Sequence, residues 1–577
     1  MRRFSSSPLN LGLAGLLALG MAWGLFAPLP HTGMTASAAA PAEKDVVAVV
    51  ACDGYADLKK QLRWVGTLVG NPALDGFAES FIMMATQFKG LAGLDVARPA
   101  GIVVTAAGEL PVVQGCLPVK DLGKLLGALE GVVGPAQKEG DAWRLTPPGG
   151  LPLEIVEKNG WAFITPLGMK PLVNDPTEHF SAIVKTLTLG AQVFPSRMPA
   201  GLRERFRQAL DQAADAAAAQ GQPVDRAAVA AVIDSLDDME SLLVGVAVDT
   251  ENERVFVEGR TVMEPNTAAA AVWTAAGKAT DGTVATPAAA NGRPLLLRAH
   301  HAQAVPEGLR APLEATLDQA LPGGDGDQLA QALGGLVRDL IAAMLDAGGF
   351  DLALAVDDAA VGADTALPAI TLGARIKDGP GLEKRVQERL GKEGVLPAGV
   401  TARFNTGRHG AANLHEIEVD LSGVPEADKF GGKVTLTLAV TPDRAYVLTG
   451  GDVAKRLAET LAAGAPQAKP LTGVDLSLAS VLAYAAKAGK LFAPDNPQNA
   501  EVEQMAKIAA DVPATLVQLL VRPIERGVSM RLSVDGGVIQ TIATGVSLVQ
   551  PGGVPGGIVP GGGFELRPGP GAPALAP

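Results

Sequence analysis

The 577-residue chain carries 48 basic against 61 acidic residues, a net charge of −13, with 47% apolar residues and only 4% aromatics. An acidic balance of this size repels phosphate backbones, and no basic patch with interleaved aromatics occurs, so no nucleic acid is expected as a partner. The length suffices for several domains with large cores, and two cysteines exclude a disulfide-built scaffold.

Residues 1–38 read as a signal peptide. Arg2 and Arg3 form a basic head, Leu11–Ala27 is an uncharged apolar run, Pro28 and Pro30 break it, and Ala36-Ser37-Ala38 offers a small-x-small cleavage pattern. The run falls between a signal core and a full span in length, so a retained membrane anchor is the other reading. A membrane enters the partner set only in that second case. Cys52 lies too far beyond the run for a lipoprotein attachment site. The rest of the chain is expected in the periplasm, the envelope or outside the cell.

A recurring pattern then organises the sequence: strand, two helices, two strands, helix. Residues 44–175 form a first, long unit. Val46–Cys52 is an almost wholly apolar strand, followed by a helix with Leu58, Leu62, Val65 and Val69 at helical spacing. Asn71-Pro72 opens a second helix, since Asn caps and Pro suits the first helical position. Strands Gly101–Ala106 and Leu110–Leu117 follow, then a helix with Leu122, Leu125, Leu126, Leu129 and Val133 on one face. Further strands are expected at Trp143–Leu145, Leu151–Val156 and Trp161–Thr165. Residues 180–279 form a short unit that begins near Ile183 and contains strands Leu242–Asp249 and Arg254–Met263.

Residues 280–291, rich in Ala, Thr and Gly, read as a linker. A second long unit spans 292–464, with strands Leu295–Ala302, Asp351–Val356 and Ile370–Ile376. Its added strands are Thr401–Phe404, Leu414–Leu421, Lys433–Val440 and Arg444–Thr449, closed by an amphipathic helix from Val453. A second short unit covers 468–549, with strands near Val474, at Thr515–Val521 and at Gly527–Val534. Pro199–Ala213 and Pro306–Ala320 match at eight of fifteen positions without gaps, which supports relatedness of the units. Tight turns between successive strands imply an α+β fold of antiparallel sheets with helices packed on one face. Residues 550–577 are dominated by Gly and Pro and are expected to form a disordered tail.

Candidate chemistry is sparse. His300 and His301 are neighbours on a strand and so face opposite sides. His409, in a glycine-rich turn, and His415, beside Glu416 and Glu418, are candidate metal ligands. Asp325 and Asp327 in Gly323-Gly-Asp-Gly-Asp327 are candidate calcium ligands, the alternative being a turn and a helix cap. Cys52 and Cys116 lie on strands of one unit and are a candidate disulfide, against two buried free thiols. No Gly-x-Ser-x-Gly elbow, zinc-protease helix or phosphate loop occurs, so no catalytic residue or cofactor is assigned. Phe81-Ile-Met-Met84 fits core packing, with apolar-ligand binding as the other use.

The stretch from Tyr55 to Leu129, with Leu68-Val-Gly-Asn-Pro72, Lys89-Gly-Leu-Ala-Gly-Leu-Asp95 and Arg98-Pro99, resembles one found in secreted bacterial proteins of unknown function. That resemblance implies export and a related fold, and it assigns no functional residue. The expectation is an exported, non-catalytic envelope or periplasmic protein that binds or scaffolds, its partner another envelope protein or an apolar ligand. The alternatives are a hydrolase with a site assembled from distant segments and an apolar-ligand carrier.

Overall fold

A computed structural model describes residues 46–549 apart from 108–109, 220–225, 279–283, 285–294, 321–327, 359–366, 423–426 and 464–470. The expected leader, the tail and the Asp325–Asp327 loop lie outside the described residues. The fold is mixed α+β, built on a large antiparallel sheet.

The first half runs β1 (Val46–Cys52), α1 (Tyr55–Leu68), α2 (Leu74–Ala85), β2 (Ala100–Ala107), β3 (Leu110–Pro118) and α3 (Leu122–Val133). It continues with β4 (Gln137–Glu139), β5 (Ala142–Leu145), β6 (Leu153–Lys158), β7 (Trp161–Pro166) and α4 (Thr177–Val184). Next come β8 (Leu189–Val193), α5 (Ala200–Ala219), α6 (Arg226–Ser235), β9 (Met239–Asp249), β10 (Arg254–Met263) and α7 (Ala268–Lys278). Ile183, expected to open the second unit, lies within α4 instead, and the strand begins six residues later at Leu189.

The second half runs β11 (Leu297–Ala304), α8 (Glu307–Ala320), α9 (Gln328–Asp346), β12 (Gly349–Asp357), β13 (Ala369–Arg375) and α10 (Gly379–Leu390). Then follow β14 (Val400–His409), β15 (Ala412–Asp420), β16 (Lys433–Val440), β17 (Arg444–Thr449) and α11 (Val453–Ala462). The last elements are β18 (Thr472–Ser477), α12 (Leu478–Phe492), α13 (Gln498–Asp511), β19 (Leu516–Ile524), β20 (Gly527–Asp535) and α14 (Gly536–Val549). Local chemistry sets several helix starts. Asp121, Asp378 and Asp452 each accept the backbone N–H three residues on, at 2.9–3.0 Å, which satisfies a donor the helix leaves unpaired.

Strand pairings run in the order β4-β5-β6-β7-β3-β2-β1-β8-β9-β10 and then β20-β19-β18-β11-β12-β13-β17-β16-β15-β14. All are antiparallel. The two halves join edge to edge through β10 and β20, from Arg254 opposite Asp535 to Val262 opposite Gly527. Such an open sheet must twist strongly along its length.

Helices cover both faces of this sheet, not one. In β2, Val103 packs with Phe180 and Ile183 of α4, whereas its neighbour Val104 packs with Leu202 and Phe206 of α5. Successive strand residues point to opposite faces, so α4 and α5 sit on opposite sides. The second half repeats the arrangement: Leu352 joins the cluster under α9 and α10, and Ala353 the cluster under α11. The expectation of one helical layer fails because these strands are apolar on both sides, and a bare face would leave that surface in water. Of residues 280–291 only Val284 is described, and it is buried against Gly373 and Tyr446, so the expected linker is anchored there. Helix α7 packs on β19, β20 and β11, and α14 on α1, which interlocks the halves beyond the strand junction. Among the described residues no helix is long and apolar enough to cross a membrane.

Candidate functional site

The sequence singles out two histidines on the β14–β15 ribbon, and the structure separates them. His409 pairs with Ala412, three residues short of His415, so the two imidazoles lie on opposite faces and about 10 Å apart along the strand. Opposite His415 the register of β14 shifts between Arg403 and Gly407, and Asn405 takes a left-handed backbone at φ 55°. That bulge turns the Asn405 N–H onto His415 Nδ1 at 3.2 Å. With Nδ1 accepting, the ring proton sits on Nε2 and is donated to Glu383 Oε1 of α10 at 3.0 Å. Asn413 Nδ2 donates to the other carboxylate oxygen at 3.3 Å, and the edge of Phe404 closes the ring's environment.

Both nitrogens of the buried His415 are therefore spent on the fold, leaving no lone pair for a metal or for a nucleophile's proton. The proposed ligand pair His409 and His415 is not assembled, and no group of three His, Cys, Asp or Glu suits a metal ion among the described residues. Glu416 and Glu418 share a face as their spacing requires. Arg403 lies 3.6 and 3.2 Å from them, and Lys433 lies 2.8 Å from Glu418 and holds its carboxyl below the usual range. Asp325 and Asp327 lie outside the described residues.

Cys52 and Cys116 are both free thiols. Ala51, Gly101 and Cys116 form one cross-strand row over β1, β2 and β3, so Cys52, one residue on, points to the opposite face. Two strand spacings separate them, roughly 10 Å, beyond what a disulfide spans. Burial pushes the Cys116 thiol up to about 12 and raises that of Cys52, which keeps both protonated at neutral pH.

His300 and His301 face opposite sides of β11. The ring of His300 lies over Gly473, where an added Cβ would come within 2.2 Å of it. His301 Nδ1 is 2.8 Å from Thr472 Oγ1, and burial pushes its pKa down. Arg98, at the entry to β2, donates to Gly160 O at 3.0 Å and stacks 4.2 Å over the buried Trp161.

The sequence reading missed a charged cluster at the junction of the halves. Glu258 on β10 is 3% exposed. Arg531, directly opposite on β20, donates from Nε and Nη2 to Glu258 Oε2 at 2.9 and 2.5 Å, and Arg260 donates to Oε1 at 3.0 Å. The Arg531 guanidinium also lies 4.2 Å over Phe256. Alternation along Phe256, Glu258 and Arg260 marks them as one face, but the partner lies 273 residues away and leaves no local pattern. At the end of the same junction, Arg526 donates to Glu240 at 2.6 Å and to Met263 O at 2.9 Å.

A second missed feature is a surface. Phe77, Phe81, Met84 and Phe88 are 58, 60, 66 and 79% exposed, on α2 and the turn that follows it. Core packing, the expectation for Phe81-Ile-Met-Met84, holds in part for the half-buried Ile82 and Met83 and fails for Phe81 and Met84. The exposure is built in. Arg63 binds Asp75 Oδ2 through Nε and Nη2 at 2.9 and 2.7 Å, and Lys59 meets Glu79 at 2.6 Å, so α1 and α2 are clamped in one orientation. The approach is close enough that a Cβ at Gly66 would lie 2.4 Å from Asn71 O. Beyond α2, buried Thr86 donates its hydroxyl to Ile82 O and accepts the Gly90 N–H, at 2.7 and 2.8 Å. Gln87 and Phe88 both adopt left-handed backbone, at φ 52° and 66°, a conformation costing about 1–2 kcal/mol for a residue with a Cβ. Its result is that the Phe88 ring stands in water just beyond the end of α2. No family model, curated protein or solved structure is similar to this chain, so the assignment of a role rests on this geometry.

Proposed function

We propose that this is an exported, non-catalytic protein of the periplasm or envelope whose role is binding or scaffolding, with the face of α2 as its contact surface. The observation that carries the reading is the row Phe77, Phe81, Met84 and Phe88, held outward by ion pairs and a left-handed turn rather than left loose. The three rings and the thioether leave on the order of 500 Å² of apolar side chain in water. Covering it is worth up to about 12 kcal/mol at the usual coefficient, before the costs of association are subtracted. The row lies on the outer surface and not around a cavity, which favours a protein face over an enclosed ligand.

Export rests on the leader read in residues 1–38. The repeat expected from sequence belongs to the same proposal: two duplicated halves, each a long and a short strand-helix-helix-strand-strand-helix unit. What supports it is the strand order, which is the same in each half when counted outward from the β10–β20 junction. Native mass spectrometry of the protein from its own exported fraction, before and after denaturation, tests the reading. Mass lost on denaturation, from a chain starting near Ala39, is the expected result. A bare chain under every condition, with Phe81→Ser unchanged in solubility and associations, would overturn the binding role.

A further inference from the structure

We infer that the strand face around Ser529, flanked by Arg260, Arg522 and Arg531, is a binding site for a phosphate group. It lies at the junction of the halves, apart from the α2 surface, and does not rest on the reading of that surface.

Register brings the residues together. Arg260 of β10 stands directly opposite Ser529 of β20, and Ser529 directly opposite Arg522 of β19. The next row on the same face sets Glu258, Arg531 and Leu520 side by side. Ser529 therefore has an arginine on each neighbouring strand and Arg531 two residues along its own. Arg260 and Arg522 start two strand spacings apart, roughly 10 Å, so both long side chains are within reach of one small anion between them.

Three observations point to an anion. First, two of the guanidiniums are positioned in advance. The buried Glu258 accepts from Arg531 and from Arg260, and Phe256 backs the Arg531 guanidinium at 4.2 Å. Both side chains remain 40% exposed, with N–H groups beyond those that Glu258 takes. Arg260 Nε is buried with no hydrogen-bond partner, a donor the fold does not satisfy. Second, the side chain of Arg522 is exposed and makes no ion pair or hydrogen bond among the described residues. Its carbonyl takes the Ser529 hydroxyl at 3.5 Å, a contact long enough to be given up to a ligand. Third, the charges match. Three guanidiniums against one carboxylate leave two positive charges, on a chain whose net charge is −13. A phosphate monoester carries close to two negative charges at neutral pH, where a carboxylate brings one. Nearby acids do not cancel the excess. Glu240 is paired with Arg526, Glu525 stands exposed in the turn, and Asp475 accepts from Gln518 four residues, about 13 Å, further along the strands.

The test is calorimetric titration of the full chain with inorganic phosphate at pH 7.5 in 150 mM NaCl. Saturable binding with a Kd below about 1 mM is expected. Arg522→Gln is expected to weaken it about ten-fold or more with an unchanged melting temperature, since that side chain bonds to nothing in the fold. Arg298→Gln, exposed on β11 of the same face, is the charge-matched control and binds as the wild type. Vesicles of phosphatidic acid, against phosphatidylcholine alone, separate the two sources of the group. Flotation that phosphate competes away assigns a lipid headgroup, and phosphate binding without flotation assigns a soluble phosphate ester. No saturable heat up to about 10 mM, with no flotation, overturns the inference. It also fails if Arg298→Gln weakens binding as much as Arg522→Gln, because the face then senses net charge alone, or if acetate competes as well as phosphate.

Discussion

Glu258→Ala is expected to destabilise the junction between the halves by about 3 kcal/mol, more than a hundred-fold in the folding equilibrium. Glu258 is almost wholly buried and accepts three charge-assisted hydrogen bonds, two from Arg531 and one from Arg260. Bonds of that kind contribute about 1.5–3 kcal/mol each when a charge is involved. Both arginine side chains are 40% exposed, so water screens them in the wild type and partly rescues them in the variant, which roughly halves the total. The comparator is Arg526→Ala at the edge of the same junction. Its partner Glu240 is 37% exposed, and the loss there is expected to be at most about 1 kcal/mol. Urea unfolding followed by tryptophan fluorescence measures both. A Glu258–Arg531 double-mutant cycle isolates the pair, with an expected coupling of about 1–2 kcal/mol. A loss below about 1 kcal/mol for Glu258→Ala, or a coupling near zero, would refute the view that this cluster holds the junction.

Gly473→Val places side-chain carbons where the His300 ring lies and is expected to cost about 2–3 kcal/mol, with His300→Ala in the same chain restoring part of the loss; equal losses with and without the histidine would contradict the steric argument. His301 has its pKa lowered by burial, so the unfolded chain binds the proton first. Stability is therefore full above the ordinary histidine value near 6.5 and falls as pH drops below it, and His301→Gln should flatten that slope in melting curves from pH 7.5 to 5.5. Cys116 is expected to resist alkylation in the native protein at pH 8 and to react once unfolded, with no Cys52–Cys116 disulfide in peptide maps; a bridged peptide would contradict the strand register.

Much of the architecture could be read locally. The run Val46–Cys52 and the alternation through Arg254–Met263 lie on observed strands, and the leucines from Leu122 to Leu129 lie on an observed helix, because period two or 3.6 is a property of neighbouring residues. The five-residue β8, Leu-Gly-Ala-Gln-Val, and the three-residue β4, the wholly polar Gln-Lys-Glu, were not legible, because neither carries an apolar alternation. The same limit applies to Phe81 and Met84. Apolar spacing marks one side of a helix but does not say whether protein or water lies there, and the clamp of Arg63 on Asp75 decides it.

By itself, then, the sequence determined the α+β composition and most strand and helix positions, since those follow from short-range periodicity. The one cap it offered, Asn71, is not used, because α2 starts at Leu74 after Ala73, and the Asp121 cap was visible only in the structure. Tertiary structure alone decided the rest. The opposite-facing cysteines, the two spent nitrogens of His415, the Glu258–Arg531 pairing and the outward row on α2 all depend on register and packing. Residues far apart in sequence meet there, and the free energy of each contact exists only once both elements are in place.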